Sequence, residues 1–276
     1  MKSNSIMFCG LVTVAVIMSS AVLTAQQNGK DDGYVPEIGQ KGKDVVWVPT
    51  PNELVDAMLK LAKVTADDYV IDLGSGDGRT VIAAAKIGAH AVGVEYNPDM
   101  VTLSKRNSIH EGVSGNTEFV QADLFEFDLS KATVITMFLL PEINLKLRPR
   151  LLELKPGTRI VSNTFTMGEW EADYEVTTDE NWNSWNTALM WIIPARIEGT
   201  WQLGDSELII RQEFQMIHGV LRKGANEYPV TDGRLSGNDI TFKINGNLYT
   251  GIVDNAIMKG TMTDSSSEKE WTAARL

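Results

Sequence analysis

Cysteine is almost absent. Cys9 is the only one in 276 residues, and it lies in the extreme N-terminal stretch. Disulfide scaffolds and zinc–cysteine sites are thereby excluded. Histidine is sparse too: His90, His110 and His218 show neither metal-ligand spacing nor a paired acid. Basic charge is short as well, with 25 Lys and Arg against 36 Asp and Glu for a net −11. A chain this acidic lacks the electrostatic footprint of a nucleic-acid binder and suits a cationic small molecule or a basic protein better. No G-x-S-x-G elbow occurs, so serine-hydrolase chemistry has no support. What is present, 43% hydrophobic and 22% charged residues, is globular and long enough for one larger domain or two modest ones.

Lys2 is the only charge before Lys30, and an apolar run from Ile6 to Met18 leads into Ser19-Ser20-Ala21. A basic start, a short apolar core and small residues make an export signal over residues 1–25, with cleavage after Ala21 or Ala25. The alternative is an uncleaved membrane anchor, because Ile6 to Ala25 has roughly the 20 residues a membrane helix needs. The chain is accordingly expected in the periplasm or secreted, or else held at a membrane through this segment alone. Residues 26–44 are polar, glycine-bearing and without apolar period, and read as a linker or arm.

From residue 45 to 196, β-rich runs alternate with amphipathic helical patterns. Strands are expected at Tyr69–Leu73, Ala91–Glu95, Thr117–Gln121, Thr133–Leu139 and Thr158–Asn163. Helices are expected at Asn52–Lys63, Arg79–Lys86, Asp99–His110 and Glu142–Leu152. That alternation predicts an α/β fold with a doubly wound, mostly parallel sheet, and Met190–Pro194 adds an antiparallel strand. Thr50-Pro51-Asn52-Glu53 and Asn97-Pro98-Asp99 both read as a cap followed by proline at the first helical position. Beyond Ile197 helical periodicity disappears. Runs at Glu207–Gln215, Gly219–Lys223, Asp239–Ile244, Leu248–Val253, Ala256–Met262 and Glu270–Ala274 predict an all-β accessory domain over 197–276, a small antiparallel barrel or sandwich.

The chemistry concentrates in Val70-Ile71-Asp72-Leu73-Gly74-Ser75-Gly76-Asp77-Gly78-Arg79, a buried strand running through three alternate glycines into a helix. Such a turn lets backbone approach a ligand closely. A dinucleotide fingerprint needs a third glycine where Arg79 stands, and Asp72 and Asp77 would repel a pyrophosphate. The same acids suit an ammonium and a sulfonium, which favours S-adenosylmethionine over NAD. Glu95, ending the second strand, can accept both ribose hydroxyls, and Asp123 after the third can accept from an adenine amino group with Leu124 or Phe125 over the ring. Trp47 is a candidate wall of an acceptor channel, and equally a packing residue under the arm. Trp182, Trp185 and Trp191 read as packing near the last sheet strands.

Asp72–Gly78, Glu95 and Asp123 resemble the motifs of class I, seven-strand, S-adenosylmethionine-dependent methyltransferases. Val48-Pro49-Thr50-Pro51, Asp72–Arg79, Gly93-Val94-Glu95-Tyr96-Asn97 and Leu139-Leu140-Pro141 resemble a subgroup within them. That subgroup holds bacterial methyltransferases and the mitochondrial enzymes that methylate lysine on the membrane-ring protein of ATP synthase and on the adenine nucleotide translocase. The likeness covers about Val45 to Trp170. It implies that Asp72, Gly74, Ser75, Gly76, Asp77, Gly78, Glu95, Asn97, Asp123 and Leu124 bind the cofactor, with Thr50 and Pro51 at its methionine end. Thr136, Leu140 and Pro141, with Trp47, are expected to line the acceptor channel. Close bacterial relatives are expected to carry a His-Asp pair after the fifth strand, where this chain has Asn163-Thr164.

The resemblance implies methyl transfer to a protein side chain, lysine favoured. A small-molecule acceptor, or an exported binding protein that keeps the fold without catalysis, is the alternative. No residue stands out as a dedicated base, and no metal or nucleic-acid partner is expected. Gly199-Thr200-Trp201 and Trp271-Thr272-Ala273-Ala274-Arg275 resemble the closing pattern of lipocalin-like barrels, in which a late arginine covers a tryptophan. With fewer than eight strands readable, a full ligand-holding barrel is not expected. A domain that docks substrate and a stabilising appendage both remain open.

Overall fold

Alternate residues of the central strands point to opposite faces, and both faces are apolar. In the computed structural model, which describes residues 33–43, 45–179 and 185–276, strand β1 (Tyr69–Leu73) sends Val70 to one core and Ile71 and Leu73 to the other. Around it run α1 (Asn52–Leu61), α2 (Arg79–Ile87), β2 (His90–Glu95), α3 (Pro98–His110), β3 (Thr117–Gln121), β4 (Val134–Met137), α4 (Pro141–Leu151), β5 (Arg159–Asn163), β6 (Tyr174–Thr177) and β7 (Thr187–Ile192). Apolar residues of α1, α2 and α3 join the core on the Val70 side, and those of α4 join the core on the Ile71 side. The seven strands lie in the order β3-β2-β1-β4-β5-β7-β6. β1 to β5 are parallel, while β7 is antiparallel to β5 and to β6. The strand order reverses between β1 and β4, which places the binding crevice at the C-terminal ends of these strands. Val35–Leu276 group as one unit; of the preceding unit only Gly33 and Tyr34 are described, so the expected signal segment and Cys9 lie outside the described residues.

Helix starts differ in kind. Asn97 caps α3, its side chain accepting from the Asp99 amide at 2.9 Å with Pro98 in the first helical position. The cap expected of Thr50 does not form: Pro51 occupies the cap position of α1 with no side-chain bond. Thr50 Oγ1 instead accepts from Asn163 Nδ2 at 3.3 Å, so the threonine ties α1 to the end of β5.

The accessory domain is a closed antiparallel barrel of eight strands, β8 (Gly199–Leu203), β9 (Ser206–Glu213), β10 (Met216–Lys223), β11 (Asn226–Ser236), β12 (Asp239–Ile244), β13 (Asn247–Asp254), β14 (Ile257–Thr263) and β15 (Glu268–Arg275). Three strands are absent from the runs expected from sequence: β6, β8 and β11, of which β8 is marked only by its Gly199-Thr200-Trp201 pattern. β6 is a short edge strand exposed along its whole length, and so carries no apolar alternation. β11 contains Pro229 and a register shift between Thr231 and Arg234, where Asp232 takes a φ of 50°. The barrel is therefore complete, but Trp201, Leu208, Ile210, Ile217, Leu235, Ile240, Phe242 and Met258 fill its interior. Closure follows the tryptophan–arginine pattern: the Arg275 guanidinium lies 4.5 Å from the Trp201 ring and donates to the carbonyls of Glu198 and Arg196 at 2.8 and 2.7 Å.

Candidate functional site

The Asp72–Arg79 segment turns from β1 into α2 with Gly74, Gly76 and Gly78 at φ of 76°, 54° and 83°, a conformation L side chains rarely adopt. Gly76 is also sterically required: a Cβ there would lie 2.7 Å from Nε1 of Trp47. Trp47 belongs to an arm that folds back on itself, with Gly39 donating to the Trp47 carbonyl and Trp47 to Gln40 O at 2.8 and 2.9 Å. The arm roofs a cleft whose floor is the glycine turn.

Three carboxylates meet this cleft from successive strand ends. Asp72 is buried at the end of β1, and burial pushes its carboxyl up to about 7; the Thr136 hydroxyl, donating to Oδ1 at 2.6 Å, opposes the rise, while the charges of Glu95 and Asp77 add to it. Glu95 is fixed by backbone, its two oxygens accepting from the amides of Gly76 and Asn97 at 3.0 and 2.9 Å. Asp123 accepts from Lys43 Nζ at 2.6 Å and from the Phe125 amide at 2.8 Å, and these bonds, the Lys43 one foremost, hold its carboxyl below the usual carboxylate range. Asp77 also reaches the cleft, but Arg79 already matches its charge with a two-pronged contact, Nε to Oδ1 at 3.0 Å and Nη2 to Oδ2 at 2.7 Å. The same guanidinium donates to Thr50 O at 2.9 Å, locking the glycine turn to the start of α1.

Of the residues expected to hold a cofactor, Thr50, Asp72, Gly74, Ser75, Gly76, Asp77, Glu95, Asn97, Asp123 and Leu124 line the cleft. Gly78 and Pro51 stand behind its wall: a Cβ on Gly78 would press into Phe119 and Ser104, and Pro51 is buried ahead of α1. Of the expected acceptor residues, Trp47 and Leu140 face the cleft. Thr136 and Pro141 do not. The pleat of β4 turns Thr136 toward Asp72, fully buried, and Pro141 opens α4 outside the lining.

Sequence reasoning missed three aromatics at the far end of the cleft. The Phe138 ring stacks on Phe165 at 5.8 Å and meets Trp185 edge-on at 5.7 Å, and all three line the wall. Trp185 is thus a cleft residue and not a packing residue of the last strands, whereas Trp191 is packed as expected, fully buried with Nε1 donating to Trp170 O at 2.8 Å. Trp182 lies outside the described residues. Phe138 stands one position before the Leu139-Leu140-Pro141 motif, and that adjacency is the available signal.

The donor set fits a sulfonium nucleoside. The glycine turn leaves a backbone cradle, Ser75 Oγ is buried there without a hydrogen-bond partner, and carboxylates at Asp72, Glu95 and Asp123 suit a cation and hydroxyl or amino donors while opposing a pyrophosphate.

Comparison with known proteins agrees. The ANTKMT methyltransferase domain matches residues 72–174. The protein-lysine N-methyltransferase of Saccharolobus islandicus (strain REY15A) is 45% identical over 163 residues, 58% of this chain and 96% of that protein. The adenine nucleotide translocase lysine N-methyltransferase of Mus musculus is 36% identical over 104 residues, covering 37% of this chain and only 45% of that enzyme. Among solved structures, an RNA methyltransferase from Salinibacter ruber in complex with S-adenosyl-L-homocysteine is 49% identical with a TM-score of 0.51, covering 54% of this chain and 96% of that one. With the Saccharolobus islandicus relative covered almost end to end at that identity, the chain belongs to the class I S-adenosylmethionine-dependent methyltransferases.

Proposed function

We propose that this methyltransferase acts on the side-chain amine of lysine in a protein. One observation carries the reading: the cleft wall of Phe138, Phe165 and Trp185, which follow β4 and β5 and precede β7, across the sheet from Asp123 after β3. Aromatic faces accommodate the four-carbon stem of lysine. Bound S-adenosylmethionine supplies an electrophilic methyl group, and Asp72, Glu95, Ser75 and Asp123 are the residues that would hold it. Alignment of amine and methyl dominates such a displacement, so the protein needs no nucleophile of its own. It does need the amine unprotonated. An apolar wall disfavours the ammonium form, so the proton is shed to solvent on entry.

The protein-lysine name of the Saccharolobus islandicus relative supports this acceptor. The solved relative is named for RNA, but a net charge of −11 opposes a polyanion. Incubation of the full-length chain with methyl-labelled S-adenosylmethionine, protein extract, RNA and low-mass metabolites tests the reading. Label recovered as N-methyl-lysine after protein hydrolysis is the expected outcome; label confined to RNA or to the low-mass fraction would overturn it.

We also propose that residues 1–25 direct export, with membrane anchorage the alternative, on the strength of their basic, apolar and small-residue order. Fractionating cells that express the chain with and without residues 1–25 tests this, and cytosolic recovery of the full-length chain would sink it.

A further inference from the structure

The acceptor end of the cleft is tied to the barrel. Phe165 reaches the cleft from the loop that leaves β5, and this loop begins at Thr164 with a φ of 61°. Two side chains of α4 hold the loop by its carbonyls. Asn144 Nδ2, from a fully buried residue, donates to Phe165 O and Thr166 O, each at 3.2 Å, and Arg148 Nη1 donates to Met167 O at 2.8 Å. The loop closes on Trp170, which is fully buried.

The turn between β9 and β10 then covers both closing elements. The Phe214 ring stacks on Trp170 at 5.7 Å and 13°, and the Arg148 guanidinium lies 5.3 Å from the centre of the same phenylalanine ring. The next residue, Gln215, is buried and donates to Glu171 O at 2.9 Å. Phe214 achieves this with a φ of 52°, sparsely populated for a non-glycine residue, and Gln212 Nε2 fixes the turn by donating to Phe214 O at 2.8 Å.

We propose that this barrel turn is the positioning element of the acceptor wall, with Phe214 as its positioning residue. The inference rests on the reading of Phe138 and Phe165 as the acceptor wall. Phe214 touches no part of the cleft. It acts through Arg148 and Trp170, which set where the loop carbonyls sit and hence where the Phe165 ring stands against Phe138. An appendage that only stabilised the sheet would be satisfied by the Arg234–Asp173 pair, at 2.6 Å, and by the Ala195–Gly237 backbone bond, at 2.8 Å. The turn adds a contact to the acceptor loop itself.

The test compares the full-length chain with Phe214→Ala, Phe214→Tyr and Tyr249→Leu. Tyr249 packs with Phe242 and Trp271 inside the barrel, so its loss weakens the barrel without touching the loop. Methyl transfer to poly-L-lysine, binding of S-adenosylhomocysteine and deuterium uptake over residues 164–171 are measured for each. Phe214→Ala is expected to raise KM for poly-L-lysine about tenfold, with kcat and the S-adenosylhomocysteine Kd within about twofold. Deuterium uptake over 164–171 rises in the same variant, and Phe214→Tyr restores wild-type values. Equal changes in Tyr249→Leu, or a lowered Tm in Phe214→Ala with KM and uptake unchanged, would overturn the proposal. If the wild-type chain labels lysine in neither poly-L-lysine nor extract protein, the lysine reading fails, and the uptake comparison alone decides the role of the turn.

Discussion

The Thr136 hydroxyl donates to Oδ1 of Asp72 at 2.6 Å, across two adjacent parallel strands whose register pairs these residues directly. Both are buried, so the bond is the principal force holding down a carboxyl that burial has pushed up to about 7. Thr136 therefore acts on the cofactor end of the cleft through Asp72.

This relationship makes cofactor affinity depend on pH. A cationic ligand favours the Asp72 carboxylate, while the free protein below about 7 holds the acid protonated. Affinity for S-adenosylmethionine is expected to rise with pH up to about 7 and to level off above it, with a proton released on binding below that point. Thr136→Val removes the opposing bond and moves the midpoint upward. Calorimetric titration from pH 5.5 to 8.5, in buffers of differing ionisation enthalpy, checks both. Affinity that stays flat across the range in both proteins would refute the coupling.

The same group affects stability with the opposite appearance. The folded Asp72 pKa lies above its unfolded value, so the stability Asp72 contributes is fully present below about pH 4 and is lost as pH rises through about 7. The span between the two values is on the order of 4 kcal/mol. Asp72→Asn is expected to raise Tm at pH 8, to leave it nearly unchanged at pH 4, and to weaken S-adenosylmethionine binding at both. Thermal unfolding of the cofactor-free chain at the two pH values reads this directly; a Tm lowered at pH 8 would contradict it.

Lys43 sits where the cofactor must compete. Its ammonium is bound to Asp123 at 2.6 Å and lies 4.4 Å from the Tyr96 ring, so any donor that uses Asp123 meets it. The pair is partly exposed, so its worth is modest. Lys43→Met is expected to tighten S-adenosylhomocysteine binding about two- to fivefold at low salt, with the gain shrinking as salt rises. Weaker binding in this variant would assign Lys43 the opposite part, a clasp over the bound ligand.

The parallel strands were legible because burial on both faces leaves apolar runs such as Val70-Ile71 and Val134-Ile135, and the glycine turn because few side chains tolerate its φ values. What sequence alone left hidden was orientation and partnership. Thr136 and Phe138 are two residues apart and would share a face on a continuous strand, but β4 ends at Met137, so the threonine meets Asp72 from within the sheet while the phenylalanine meets the cleft from beyond it. Asp77 reads as a ligand acid until Arg79, two residues on, is seen folding back over it. Phe165 and Trp185 are far apart in sequence, and their convergence needs the antiparallel return of β7 beside β5. β11 escaped because proline and a bulge break the alternation that marked its neighbours.

Arg275 offers the sharpest test of how the barrel closes. β15 meets β8 at Ala273↔Leu203, Ala274↔Gln202 and Arg275↔Trp201, so the arginine stands at the end of the seam. There it covers Trp201, whose Nε1 donates to Ile197 O at 2.8 Å, and binds two carbonyls of the segment that enters the barrel. Arg222 is equally charged but lies in an exposed pair with Glu227 at 2.9 Å. Charge-assisted bonds to backbone and a cation over an indole are each worth more than an exposed ion pair. Arg275→Met is therefore expected to cost about 1 to 2 kcal/mol, and Arg222→Met less than about 0.5 kcal/mol. Urea unfolding of the two variants beside the wild type measures the difference. Equal losses would mean that the seam is held by the strand bonds alone and that the arginine merely decorates it.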